Sequence, residues 1–285
     1  MYLLIQAHEY HKHTELLDQS FRLRKKIFAD QLGWDVSVAG SYERDRYDDF
    51  HPAYLLWCDE DRIQLYGCAR LMPTTGPTLL YDVFRDTFPD TCDLVAPRIW
   101  EGTRMCVDET AIARDFPDMR PDRAFCQLLL AVCEVAIDNG IHTMISNCDP
   151  QLKRIYQKAG AKFDELGRSD GYGRLPVCCG AFEVSPRVLA AMRRKIKVVG
   201  PLYRRHRVPL PVVRAPIGMS ARSDEASAIV AVSMTRFRSG RCPHVQTCRR
   251  SVCADPLCSR SCRKGLQRIQ SLLPLHRACG RGQAH

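Results

Sequence analysis

The sequence predicts an α/β sandwich, a mixed central sheet flanked by helices and followed by an irregular basic tail. Three observations carry this. Apolar runs of strand period and of helix period interleave through the first 200 residues. One run, Pro97 to Val107 (PRIWEGTRMCV), alternates Ile99, Glu101, Thr103 and Met105 with Trp100, Gly102, Arg104 and Cys106, as a central strand does. From about Val208 the composition shifts to Pro, Ser, Arg and Cys with little periodicity. The boundaries follow: residues 1–207 form one domain, and 208–285 an irregular, disordered Cys/Arg-rich tail.

Each element has its own signal. YLLIQA, Tyr2 to Ala7, starts a first strand. Thr14 to Gln31 is helical, with Leu16, Leu17, Phe21, Leu23, Ile27 and Phe28 at three and four spacings, and Gly33 stops it. Ser37 to Phe50 is polar and aperiodic, a loop. Ala53–Cys58 and Ile63–Leu71, joined by the acidic turn DEDR, read as an antiparallel hairpin. Pro73, Gly76 and Pro77 break the chain before a short turn or helix, Leu79–Phe84. Asp122 to Asn139 is the strongest helix, ended by Gly140. Ile141–Ser146 is a strand, Pro150–Ala159 a short basic helix, Ala161–Phe163 the start of a strand, Val177–Val184 the last strand and Pro186–Ile196 the last helix. This order resembles the acyltransferase fold of the GNAT class.

Charge separates the two parts. The net charge is +10, yet residues 201–285 hold 16 Lys and Arg against 3 Asp and Glu, leaving 26 against 29 in the first 200. The main domain is slightly acidic, so the basic excess is a property of the tail. Nine of the fifteen cysteines precede residue 200, mostly inside apolar runs and without CxxC spacing, as reduced core residues do. Cys242, Cys248, Cys253, Cys258, Cys262 and Cys279 are spaced too widely for the common paired-ligand zinc pattern; a zinc module is the alternative to a disordered tail, and no metal site is assigned. No apolar run approaches the about 18 residues of a spanning helix, and no secretory signal pattern opens the chain. A cytoplasmic protein without membrane association is expected.

The central strand carries the first chemistry. On an extended strand Glu101 and Thr103 share a face and Arg104 takes the other, unless a bulge re-aims it. Gly102 is where such a bulge is cheapest. An acid and an arginine in an apolar run either pair with each other or face a ligand.

Several segments then match one family in order and spacing. FRLRKKIF holds Arg24 and Phe28, and LGW ends at Trp34. ERDRYDDF holds Asp45 and Asp48, GCARLMPTTGPTLL holds Arg70, and YDVF ends at Phe84. WEGTRMCV holds Glu101 and Arg104. Residues 1–205 resemble the LuxI-type N-acyl-homoserine-lactone synthases, the autoinducer synthases of quorum sensing. The resemblance implies a GNAT-like fold, S-adenosylmethionine (SAM) as a substrate rather than a cofactor, and an acyl thioester on acyl carrier protein or CoA as the other substrate.

The implied reaction assigns roles. An amine must lose a proton before it attacks a thioester, and Glu101 is the candidate base, with Arg104 beside it. The oxyanion needs backbone donors, which a bulged central strand supplies. Phe28, Trp34, Asp45, Asp48 and Phe84 are the aromatic and acidic types that hold a sulfonium cation. Arg24 or Arg104 offers a fork for the SAM carboxylate. Arg70 is expected to organise the acidic cluster through ion pairs. Thr103, Thr143 and Met144 are the acyl-chain candidates, Thr143 for a 3-oxo group. Lys153, Arg154 and Lys158 make a basic helix suited to an acidic carrier.

Two other readings remain. Another GNAT-class N-acyltransferase using acyl-CoA would carry a glycine-rich pyrophosphate loop before the long helix, where RDFPDMRPDRA stands without glycine. Nucleic-acid binding through the tail would be nonspecific, because Phe237 is its lone aromatic after Tyr203.

Overall fold

The structure is a computed structural model that describes residues 1–172 and 176–204. The expectations placed on 208–285, the basic tail and its cysteines, lie outside the described residues.

Strand β1 (Tyr2–Ile5) leads through a 3₁₀ turn to helix α1 (Thr14–Arg24). The helix widens without a break into π-helical turns over Lys25–Gln31, and Gly33 ends it at φ +63°. The polar stretch read as a loop contains a two-stranded ribbon, β2 (Val38–Ala39) with β3 (Tyr42–Glu43), and a 3₁₀ turn, Arg46–Phe50, capped by Asp45. Strands β4 (Ala53–Cys58) and β5 (Leu65–Pro73) form the expected hairpin. Helix α2 (Leu79–Asp82) precedes the central strand β6 (Ile99–Val107). Helix α3 (Glu109–Asp115) was not expected; its Asp108 side chain accepts from the amides of Thr110 and Ala111, a standard N-cap. Then come α4 (Pro121–Asp138), β7 (Thr143–Cys148), α5 (Lys153–Ala159), β8 (Phe163–Ser169), β9 (Val177–Glu183) and α6 (Pro186–Ile196).

The seven main strands run in the order β1-β4-β5-β6-β7-β9-β8, antiparallel except for the β6–β7 pair. That parallel pairing covers only Ile99–Glu101 against Thr143–Ile145. Beyond Glu101 the two strands part, which opens the sheet at its centre. Helix α4, buried along most of its length, packs with α6 and the inner residues Leu55, Leu71 and Met144 on one face. Helix α1 packs on the other face against Tyr54, Leu56 and Cys68. All nine described cysteines are buried thiols, in keeping with their apolar surroundings.

The bulge on β6 falls at Arg104, not at Gly102. Cys68 pairs with Cys106 and Arg70 with Thr103, so one residue on β5 faces two on β6. Arg104 takes up the extra residue at φ +52°, in the left-handed region. Gly102 stays in register opposite Leu71 and serves a different need, since an added Cβ there would lie 3.4 Å from Met144 Cε.

Candidate active site

Three arginines and three carboxylates meet on the α1 face of β5 and β6. Arg24, at the end of α1, donates from Nε to Glu43 at 2.6 Å and from both Nη atoms to Asp48 at 2.8 Å. Arg70 donates to Thr103 Oγ1 at 3.0 Å and through both Nη atoms to Asp45 at 2.5 and 3.0 Å. Arg104 donates from Nε to Glu43 at 3.0 Å and from Nη2 to Asp45 at 2.9 Å. Each carboxylate therefore bridges two arginines, with Arg70 also 3.0 Å from Asp48. The expectation that Arg70 organises the acidic cluster matches this geometry. Glu43 was missed; its signal was its place two residues before Asp45 in ERDRYDDF.

Burial makes these pairs matter. An unpaired charge here is costly, whereas a bridged one is held tightly. Burial alone would raise the Asp48 carboxyl, but Arg24, Arg70 and the Tyr54 hydroxyl together hold it well below its usual range. Burial would lower Arg24, and the Asp48 and Glu43 carboxylates overcome that and raise it.

This corrects part of the substrate-contact expectation. Arg24 is 1% exposed and all its nitrogens are committed to Glu43 and Asp48, so it has no fork free for a substrate carboxylate. Asp48 is likewise enclosed, accepting from Arg24, Tyr54 and the Asp45 amide. Arg104, with an 11% exposed side chain, and Asp45, with 12%, are the members that reach the surface.

Aromatic groups border them. Phe28 is buried and stacks on Trp34 with centroids 5.2 Å apart, and Trp34 is 42% exposed. The Arg104 guanidinium lies 5.7 Å from the Phe28 ring centre. Phe84 packs with Tyr47, Met72 and Leu79.

Glu101 stands beside this frame but outside its bridges. It is 0% exposed, and its Oε2 accepts from the Leu79 amide at 3.1 Å. Among the described residues its Oε1 has no hydrogen-bond partner. Burial pushes the carboxyl up to about 7, opposed by Arg70, the amides of Leu80 and Leu79, and Arg104. A carboxyl titrating there serves as a proton acceptor near neutral pH.

On the other face of the sheet, where β6 and β7 part, lies an apolar cavity lined by Leu71, Gly102, Met105, Met144, Tyr156 and Met192, among others. Of the three acyl-chain candidates only Met144 lines it. Thr103 is turned to Arg70, and the Thr143 hydroxyl lies 2.9 Å from His142 Nδ1. Strand alternation accounts for both, since each is one residue from a cavity-lining neighbour. The basic helix is also less free than its sequence implies. Lys153 pairs with Glu165 and Lys158 with Asp122, although Lys158 stays exposed, as Arg154 is. Among the described residues no cluster of three or more metal-ligating side chains occurs, and no helix is long and apolar enough to cross a membrane.

A mixed sheet that splays at its centre, flanked by helices, with an acid on one side of the opening and an apolar cavity on the other, is the GNAT-like fold of acyltransferases. The chain belongs to the autoinducer synthase family, whose sequence model it matches over residues 7–189. It is 37% identical over 153 residues to an acyl-homoserine-lactone synthase of Rhizobium etli, covering 53% of this chain and 70% of the relative. It is 31% identical over 189 residues to one of Agrobacterium fabrum, covering 64% and 88%. Among solved structures, a CoA-dependent acyl-homoserine lactone synthase, BjaI, with SAM and isopentyl-CoA, aligns with a TM-score of 0.62 at 26% identity, covering 70% of this chain and 90% of that one. The same synthase with MTA aligns at 0.61 with the same identity, covering 70% and 92%.

Proposed function

We propose that the chain joins SAM to an acyl thioester and closes an N-acyl-L-homoserine lactone, releasing methylthioadenosine. The observation that carries this is Glu101: a buried carboxyl, poised near neutrality, with one oxygen unpartnered at the mouth of the sheet opening. That oxygen suits the ammonium group of SAM, first as an ion-pair partner and then as the acceptor of its proton, directly or through a water.

The amine attacks the thioester carbonyl carbon, and the carbon–sulfur bond breaks with loss of the thiolate. The carboxylate of the acylated intermediate then attacks methionine Cγ, and the sulfonium carbon–sulfur bond breaks to free methylthioadenosine. Arg104 is the arginine with the exposure to hold that carboxylate. Phe28, Trp34 and Phe84 offer ring faces to the cation, with Asp45 as the accessible acid. Arg24, Asp48, Glu43 and Arg70 act one step back, fixing Asp45 and Arg104. Backbone amides of the bulged strand are the donors this reading assigns to the oxyanion. The cavity beside Met144 takes the acyl chain. Arg154, exposed on α5 and without an ion pair among the described residues to compete for it, is the first cation for an acyl carrier protein or the CoA phosphates, with the exposed Lys158 beside it. The site calls for no cofactor, and a cytoplasmic location fits substrates made there.

The test is mass spectrometry of purified protein incubated with SAM and a panel of acyl-CoA and acyl-carrier-protein donors. A lactone together with stoichiometric methylthioadenosine is expected. An acylated product that keeps the adenosyl group, or no product with any donor, overturns the reading.

A further inference from the structure

Phe84 belongs to the wall around Glu101. It packs with Met72, the strand partner of Glu101, and with Leu79, whose amide holds the Glu101 carboxylate. Yet Phe84 sits in the irregular stretch that follows α2, outside the sheet. Something else must hold it in place.

The far edge of the sheet supplies the hold. The Tyr172 ring packs on Phe84 with centroids 4.9 Å apart. Its hydroxyl reaches the Val83 carbonyl oxygen at 2.8 Å and the Asp86 carboxylate. The other Asp86 oxygen accepts from Ser169 Oγ, at the end of β8, at 2.5 Å. Thr87 Oγ1 donates to the Phe84 carbonyl at 2.6 Å and accepts from Asn147 on β7 at 3.1 Å. Strand β8 comes so close that a Cβ at Gly167 would lie 2.7 Å from the Thr87 carbonyl oxygen. Residues 83–87 are thus pinned from β7 and from the end of β8, and of these pins among the described residues Tyr172 is the one that touches the Phe84 ring itself.

We infer that Tyr172 is a positioning residue for the SAM site, bracing Phe84 against the adenosylmethionine cation. This rests on the reading that Phe84 faces SAM. Tyr172 is not among the residues lining the acyl cavity, so the brace should move SAM binding and leave the acyl donor's binding in place. Its two components separate chemically: the ring contact sets where Phe84 stands, and the hydroxyl ties the loop to Val83 and Asp86.

The test uses the full chain, with Tyr172→Ala, Tyr172→Phe and Asp86→Asn beside the parent. The readouts are SAM affinity by calorimetry, the KM for each substrate, and Tm. Tyr172→Ala is expected to weaken SAM binding about tenfold, the size of one aromatic contact. Tyr172→Phe keeps the ring and should lose about threefold, as should Asp86→Asn, each dropping a hydrogen bond. The KM for the acyl thioester should stay within twofold in all three. A purely structural role would lower Tm and the active fraction without moving the SAM KM. Unchanged SAM affinity in Tyr172→Ala, or equal shifts for both substrates, overturns the brace. If Tyr172→Ala fails to fold, Tyr172→Phe and Asp86→Asn decide by the same criterion. Failure of the parent to bind SAM would instead overturn the functional reading, and the brace with it; SAM binding without lactone formation would overturn that reading alone.

Discussion

Thr103 and Arg104 are neighbours in the chain, yet both side chains reach the same acidic cluster, Thr103 accepting from Arg70 at 3.0 Å and Arg104 donating to Asp45 at 2.9 Å. Regular alternation would send Arg104 into the apolar cavity on the other face. The bulge turns it back, at the cost of a left-handed arginine, which is about 1–2 kcal/mol less stable than the usual conformation. Its ion pairs with Glu43 and Asp45 hold that conformation in place.

The first prediction concerns this arginine. Arg104→Lys keeps a cation but loses the planar fork. The KM for SAM should rise about tenfold or more, as when one charge-assisted hydrogen bond is lost. The KM for the acyl donor should not follow. Initial rates against each substrate check it, and an unchanged SAM KM would remove Arg104 from the binding surface.

Glu101→Gln should abolish lactone formation, a loss of about 10²–10⁴-fold if Glu101 is the base. It should also stabilise the protein. The Glu101 carboxyl is raised from 4.5 to about 7 on folding, so the folded state holds a proton that the unfolded state releases. Wild-type stability is therefore lost as pH rises from about 4.5 to 7, by an upper limit of about 3 kcal/mol, and is constant above. The neutral amide escapes that loss. Thermal melts should show Glu101→Gln above wild type at pH 8 and level with it near pH 4.5. The wild-type rate should rise with pH through about 7. A variant less stable at both pH values would contradict the assignment.

Asp48→Asn should act in the opposite sense. It removes one partner of the buried Arg24, which typically costs about 3–5 kcal/mol. Because Asp48 is depressed in the folded state, its contribution is present above the unfolded carboxylate value and is lost as pH falls below it. Urea denaturation at pH 7 should give a lower midpoint with the same slope, and the difference should shrink below about pH 4. Equal midpoints at pH 7 would show that the frame does not support the fold.

How far the site is legible in the sequence depends on the residue. The hairpin, the long helix and the last helix follow from periodicity, and their bounds differ little from those expected. Helix α3 is only seven residues, too short for a pattern, although Asp108 before it carries a cap signal. The candidate site residues came from the resemblance of six segments, in their order and spacing, to one family. The division between surface contacts and buried struts did not, because Arg24 and Arg104 are the same residue type and only burial separates them. The bulge was expected at the glycine, where it is cheapest. It lies at Arg104, where the neighbouring carboxylates decide.

A further prediction tests the limit of the folding unit. Glu134, buried on α4, accepts from Arg193 at 2.8 Å and from the amides of Leu202 and Tyr203 at 2.9 and 2.7 Å. Tyr203 in turn bridges Tyr2 on the edge strand β1. Ending the chain after Arg205 should preserve folding and activity. Ending it after Val198 should leave the buried Glu134 short of two donors and cost about 1–3 kcal/mol. Solubility, melting temperature and lactone yield of the two truncations check it.

Arg154→Glu should discriminate between donors. A carrier protein meets a wide face, so its KM should rise and lose its salt dependence, whereas the KM for acyl-CoA should change less. Rates at two salt concentrations measure both. Unchanged values for the two donors would exclude α5 from the docking face.

The ion-pair frame has a consequence for turnover. Three arginines balance Glu43, Asp45 and Asp48, so the frame carries no net charge and Glu101 gives the site its single excess negative charge when ionised. SAM, the proposed substrate, has a sulfonium, an ammonium and a carboxylate, one net positive charge that would neutralise it. Methylthioadenosine and the lactone carry none. On the proposed reaction the attraction that draws the reactant inward is thus spent during turnover, and the pocket regains its pull on the next cation only when Glu101 gives up the proton it took.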